Sequence, residues 1–141
     1  MDWTQNDGQS RCLILDDCLL ELGNNSVVME IYTVLAHHLN ISIFTLLQTL
    51  FPPQKNMRTI SINSHYLIMF QNKRDSAQYR TLSSQMVPGQ TKFFLDALQK
   101  ATTSKPFSYL MADLHPRSDS LYKFRSCILP HEDEEIYIPT E

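Results

Sequence analysis

The sequence predicts an α/β fold: a three-layer arrangement with helices on the faces of a mostly parallel sheet, and a β-hairpin at its C-terminal end. Three observations predict it. Cys12-Leu13-Ile14-Leu15 is a continuous apolar run, the pattern of a strand buried on both faces. The run stops at Asp16-Asp17, and charges are excluded from the interior of such a strand, so the acidic pair marks its C-terminal end. An amphipathic stretch and a second β-branched strand follow, which makes a right-handed βαβ unit with parallel strands.

Composition narrows the class. At 141 residues and 43% hydrophobic, the chain suits one globular domain and is too apolar for a disordered one. The net charge of −3 supplies no global basic field for nucleic acid. No apolar run approaches the roughly 20 residues that span a bilayer, and residues 1–10 are polar, without a signal peptide. The expected location is therefore intracellular and soluble, in cytoplasm or nucleus, with no membrane partner. Cys12, Cys18 and Cys127 are odd in number and lack CxxC spacing, which fits reduced core thiols rather than a disulfide frame or zinc site.

Each element has its own signal. Residues 1–10 read as a disordered lead-in and residues 12–17 as the first strand. Gly23-Asn24-Asn25 gives a turn, with Asn25 as helix N-cap. Val27, Ile31, Val34 and Leu35 share one helical face over Ser26 to His38, and Asn40 ends that helix. Ile41 to Leu47 is the second strand, ending at Gln48; Pro52-Pro53 opens an irregular loop, and Met57 to Asn63 reads as a short helical turn holding Arg58. Tyr66 to Phe70 is the third strand. Asp75-Ser76-Ala77-Gln78 has capping-box spacing and opens a helix running to Met86, which Pro88-Gly89 ends. Phe94, Ala97, Leu98 and Ala101 line one face of a helix over Thr91 to Thr102. Tyr109 to Ala112 and Phe124 to Leu129 form the hairpin strands, and residues 131–141 read as a solvated acidic tail.

The candidate chemistry sits on the first two strands. Ligands bind open parallel sheets at the strands' C-terminal edge. Here that edge receives Asp16 and Asp17 from one strand and Gln48 from the next. A carboxylate pair with a polar neighbour suits Mg²⁺ and a phosphate-reading sensor, as in a Walker B element. The competing reading is a buried strand followed by a polar turn. Arg58 and Arg74 lie in polar segments, where an arginine is either a finger donated to a neighbouring subunit or a surface charge. His37-His38 lacks further ligands at metal spacing, and no G-x-S-x-G elbow supports a serine nucleophile. Phosphate binding by this class needs G-x-x-x-x-G-K-[ST]; the only glycines are Gly8, Gly23 and Gly89, and none precedes a lysine.

A series of segments in order carries a resemblance: Cys12-Leu13-Ile14-Leu15-Asp16-Asp17, His37-His38-Leu39-Asn40-Ile41-Ser42, Leu47-Gln48-Thr49-Leu50-Phe51, Arg58-Thr59-Ile60-Ser61-Ile62-Asn63, Phe70-Gln71-Asn72-Lys73-Arg74-Asp75, Gln85-Met86-Val87-Pro88-Gly89 and Tyr109-Leu110-Met111-Ala112-Asp113-Leu114. Over residues 11–130 the chain resembles the C-terminal half of genome-packaging ATPases of the FtsK–HerA type. It is similar to those of Polinton/Maverick elements and adintoviruses, similar in turn to the poxvirus packaging ATPase.

The resemblance implies a partial P-loop NTPase core, RecA-like. It makes Asp16 the Mg²⁺ carboxylate, Asp17 the water-polarising residue, Gln48 the sensor and Arg58 a finger. It implies Mg²⁺ and ATP as cofactors, and double-stranded DNA, an oligomer or a full-length ATPase homologue as partners. The half of the family that carries Walker A has no counterpart here, and Phe107-Ser108-Tyr109 lacks the family's glycine before the tyrosine. The expected function is a truncated DNA-packaging or transposon-derived ATPase remnant that keeps Walker B and sensor elements and is inactive alone. The alternatives are a co-opted protein-interaction module and a metal-dependent enzyme using Asp16 and Asp17.

Overall fold

The computed structural model describes residues 8–18, 23–74 and 76–140, the side chain of His37 excepted. The predicted cap at Asp75 and most of the lead-in lie outside the described residues. The chain is mixed α/β and parts into two compact units, Met1–Asn63 and Ser64–Glu141, where the sequence predicts one core over residues 11–130.

The first unit pairs β1 (Arg11–Asp16) with β2 (Ile41–Leu46) in parallel, Arg11 opposite Ile41 through Asp16 opposite Leu46. From Ser26 to His38 the connection is continuously helical: α1 (Ser26–Glu30), a π-helical turn (Ile31–Leu35) and α2 (Ala36–His38). Asn25 caps α1 as predicted, accepting the Val27 N–H at 2.9 Å. Asn40, at φ +52°, turns the chain out of the helix; asparagine tolerates that left-handed conformation better than other side chains. The stretch Met57–Asn63 forms a full helix, α3. Tyr32, Met57 and Ile60 make the core of this unit, with Leu15, Val28, Met29 and Ile43 packed on them. The Tyr32 hydroxyl hydrogen-bonds that of Thr45, tying the crossover to β2.

Two expectations change in this unit. β1 is not buried on both faces: Leu13 and Leu15 lie on its covered face, whereas Ile14 is 64% exposed, Phe44 52% and Leu46 50% on the other. Strand side chains alternate between faces, and the helices pack on one face only. The run of apolar residues thus reports two faces while the described chain covers one. Val27 and Val34 are also exposed, while Val28, Met29 and Tyr32 pack inward. The valines on either side of the helix are equally apolar, and the face that turns in is the one that carries Tyr32, whose hydroxyl finds a partner on β2.

The second unit is a four-stranded antiparallel sheet in the order β3 (Tyr66–Phe70), β4 (Tyr109–Asp113), β5 (Phe124–Ser126), β6 (Glu135–Ile136). The predicted antiparallel hairpin strands are β4 and β5. The mostly parallel sheet gives way to one parallel and three antiparallel pairings among the described residues. α4 (Ser76–Met86) and α5 (Thr91–Thr103) lie between β3 and β4 in sequence. Gly89, at φ +81°, makes the turn between them, a conformation open to glycine without a Cβ penalty.

The predicted face of α5 is the core. Phe94, Ala97, Leu98 and Ala101 are all buried, as are Leu110, Ala112 and Phe124 of the sheet. Phe94 meets Phe124 edge-to-face at 5.6 Å. Burial of each large side chain here contributes about 1.5–3 kcal/mol. The acidic segment is not a free tail: Glu135–Ile136 is β6, and Arg125 bridges Glu134 at 2.9 Å and the buried Asp113 at 3.1 Å. Cys127, at φ +55°, ends β5 three residues earlier than the apolar run through Leu129 suggests.

Candidate functional site

The parallel ladder builds the candidate site. Asp16 is the last residue of β1, opposite Leu46, so the chain that leaves β2 carries Gln48 past the same edge that Asp17 occupies. Asp17 has φ +52°, which turns the main chain at the strand end. The Gln48 amide Nε2 donates to Asp17 Oδ1 at 3.4 Å, a long hydrogen bond between two exposed side chains. The Cys18 thiol donates to the Asp16 carbonyl at 3.0 Å and holds the turn beneath the acids. Asp16 lies on the open face of the strand, following Cys12 and Ile14 in the alternation.

The arrangement joins three of the predicted residues at one sheet edge: Asp16, Asp17 and Gln48. Arg58 is exposed on α3 in the same unit. Arg74 belongs to the second unit, where its N–H donates to Asn72 Oδ1 at 2.9 Å in a local turn with the side chain exposed.

Carboxylate and amide oxygens suit Mg²⁺, which binds through one or two carboxylates with waters and substrate phosphates completing the shell. Among the described residues, no group of three or more His, Cys, Asp or Glu is placed to hold a metal ion. The residues therefore fit a cation only as a partial shell, and the sequence offers no Gly-rich loop with lysine to hold the phosphates.

A second polar constellation lies in Ser64–Glu141. Glu132 accepts from Lys105 Nζ at 2.6 Å, from the Leu129 N–H at 3.2 Å and from the Tyr109 hydroxyl at 3.5 Å. The Lys105 hydrogen bond, foremost, holds the Glu132 carboxyl below the usual range, and the same bond raises Lys105. These residues border a cleft of about 360 Å³ lined also by Phe107 and Cys127. The pairing of residues 27 apart, one of them in a run of acids, leaves no local sequence signal. No protein-family model, curated protein or solved structure matches this chain. No helix among the described residues is long and apolar enough to cross a membrane.

Proposed function

We propose that this chain is the remnant of a DNA-packaging or transposon-type ATPase, retaining its acid pair and sensor but not its phosphate grip. One observation carries the proposal. Asp17 and Gln48, 31 residues apart, meet at the C-terminal edge of a parallel strand pair, the edge where α/β sheets bind ligands. In this reading Asp16 would hold Mg²⁺, Asp17 would polarise a water, and Gln48, which donates to the Asp17 carboxylate, would serve as the sensor of a nucleotide whose phosphates were held by other groups. Arg58 serves a neighbouring subunit's site. The fold's finer ancestry, a partial P-loop core, belongs to the same proposal.

Most nucleotide affinity in such enzymes comes from main-chain N–H groups and a lysine wrapped round the phosphates, so the isolated chain turns over no ATP. Titration calorimetry with Mg·ATP is expected to be flat, and a micromolar dissociation constant would show a working site and overturn the remnant reading. Mn²⁺, added alone, is expected to broaden the NMR signals of Asp16, Asp17 and Gln48 first, and Asp16→Asn to abolish this. Broadening spread over the whole acidic surface would reduce the pair to a polar turn.

The protein-interaction reading draws on a different observation, the uncovered apolar face of β1 and β2. Parallel sheets are ordinarily covered on both faces, so a partner that supplies the missing layer suits this unit.

A further inference from the structure

We propose that residues 129–138 form an acid-released latch, which swings off β5 when its carboxylates are protonated while the rest of the sheet stays folded. Little apolar burial holds this segment. Its hydrophobic side chains Leu129, Ile136 and Ile138 are 58%, 42% and 53% exposed. Its ladder to β5 has two residue pairs, Arg125 opposite Ile136 and Ser126 opposite Glu135. The Tyr137 N–H adds one bond to the Phe124 carbonyl at 2.9 Å. A hairpin arm this short is marginal in water on main-chain bonds alone.

Carboxylates supply the remaining anchors, spaced along the segment. Glu132 accepts from Lys105 at 2.6 Å and also from the Leu129 N–H and the Tyr109 hydroxyl. Glu134 pairs with Arg125 at 2.9 Å. Glu135 accepts from the Tyr137 hydroxyl at 2.6 Å and the Ser126 hydroxyl at 3.3 Å. Hydrogen bonds to ionised acceptors are roughly twice as strong as neutral ones, so protonation weakens all three anchors together. The facing cations come from α5, the turn after it and β5: Lys100, whose Nζ is 6.0 Å from the Tyr137 ring centroid, Lys105 and Arg125. Arg125 also holds the buried Asp113 of β4. The Cys127 thiol shares the cleft with Tyr109 and Glu132. His131 and Asp133, both exposed, complete the ionisable groups of the segment with Tyr137.

The sign follows from Glu132. Its bond to Lys105 lowers the carboxyl from the ordinary 4.5. The folded state thus favours the ionised form, and this contribution is present above 4.5 and lost as pH falls through the lowered value. The hinge favours release as well. Cys127 and His131 hold φ +55° and +74°, left-handed values that are costly for residues with a Cβ. The sheet beneath does not depend on the segment. β3 and β4 pair over five residues, Leu110, Ala112 and Phe124 are buried, and Phe94 packs on Phe124. Leu129 and Glu132 line the cleft that holds Cys127, so release opens that cleft and frees the outer main-chain edge of β5.

The test is amide hydrogen exchange of the full chain, corrected for intrinsic rates, from about pH 7 to about pH 3. The Tyr137 amide is expected to lose at least about tenfold of its protection across the carboxylate range while the β3–β4 amides keep theirs. Glu132→Gln, Glu134→Gln and Glu135→Gln together keep the side-chain shapes and remove the charges. That variant should leave Tyr137 unprotected already at neutral pH. Should it misfold, Glu134→Gln alone should lower Tyr137 protection at neutral pH. A single simultaneous loss at Tyr137 and in β3–β4 overturns the proposal, because the segment then opens only with its unit. Tyr137 protection that persists through acid, or that survives the triple change in folded protein, overturns it too.

Discussion

The two units solve the same problem, covering an apolar sheet, with different success. In Ser64–Glu141 the long amphipathic helix α5 lays four buried positions on a four-stranded sheet, and the core includes the fully buried Phe94, Leu110 and Ala112. In Met1–Asn63 a two-stranded sheet rests on Tyr32, Met57 and Ile60, and Ile14, Phe44 and Leu46 on its far face are left exposed by the described residues. Antiparallel sheets accept one solvated face; parallel ones rarely do. The candidate chemistry therefore sits on the less self-sufficient unit. A site of this kind depends on whatever else covers its sheet.

Substitutions should expose the difference, read by amide exchange so that each unit reports separately. Phe94→Ala removes the ring that meets Phe124 and should cost the second unit about 3–5 kcal/mol, enough to melt it at ordinary temperature. Ile60→Ala in the first unit should cost about 2–4 kcal/mol. If that unit is the weaker one, its β1 and β2 amides already exchange faster than those of β4 before any substitution. Equal protection in the two strand sets would erase the contrast.

Alkali offers a chemical route to the same contrast. Burial pushes the Tyr32 phenol up to about 12 from 10.0. A raised value means that the folded state favours the protonated form, so this contribution is complete below pH 10 and lost as pH rises towards 12. It amounts to about 2–3 kcal/mol. Tyr32→Phe should flatten the alkaline loss at β1 and β2. A profile unchanged by that variant would show that Tyr32 ionises without opening the unit.

Smaller effects refine the second unit. Phe107 holds φ +63°, a strained conformation for a bulky side chain, and is 93% exposed, so it forfeits little packing if replaced. Phe107→Gly should raise stability by about 1 kcal/mol in thermal melts; a loss would show the ring packs in solution. The smallest effect belongs to the exposed pair Lys105–Glu132. Glu132 is depressed below 4.5, so its contribution is present above that value and lost as pH falls through the depressed one. A carboxyl NMR titration should show the depression vanish in Lys105→Ala.

Local patterns were legible in the sequence, and pairings were legible only where the connection dictated them. Phe94, Ala97, Leu98 and Ala101 announced a buried helix face because a single apolar stripe leaves no choice. Asn25 and Asn40 announced the helix ends through the chemistry of their side chains. The β1–β2 direction followed from a helical crossover, and with it the meeting of Asp17 and Gln48. No comparable constraint orders β3 against β4. Two helices separate them, a connection long enough for either direction, and the ladder is antiparallel. Pairs such as Arg125 with Asp113 and Lys105 with Glu132 depend on that sheet order and so stayed invisible. The open face of β1 and β2 was hidden for another reason: an apolar run states what a strand prefers to touch, not what is there to touch it.

Phe107 has one more consequence. It stands at an exposed turn between α5 and β4, an aromatic side chain presented to solvent with little of the surrounding chain in the way. Chymotrypsin-like proteases take such bonds, and loop tips are where they cut first. A single nick there would leave peptides 1–107 and 108–141. The two would remain together, because β3 on one side of the cut is laddered to β4 on the other from Tyr66–Asp113 to Phe70–Tyr109. The protein can thus be severed while staying assembled, two chains on a denaturing gel and one particle on a native column.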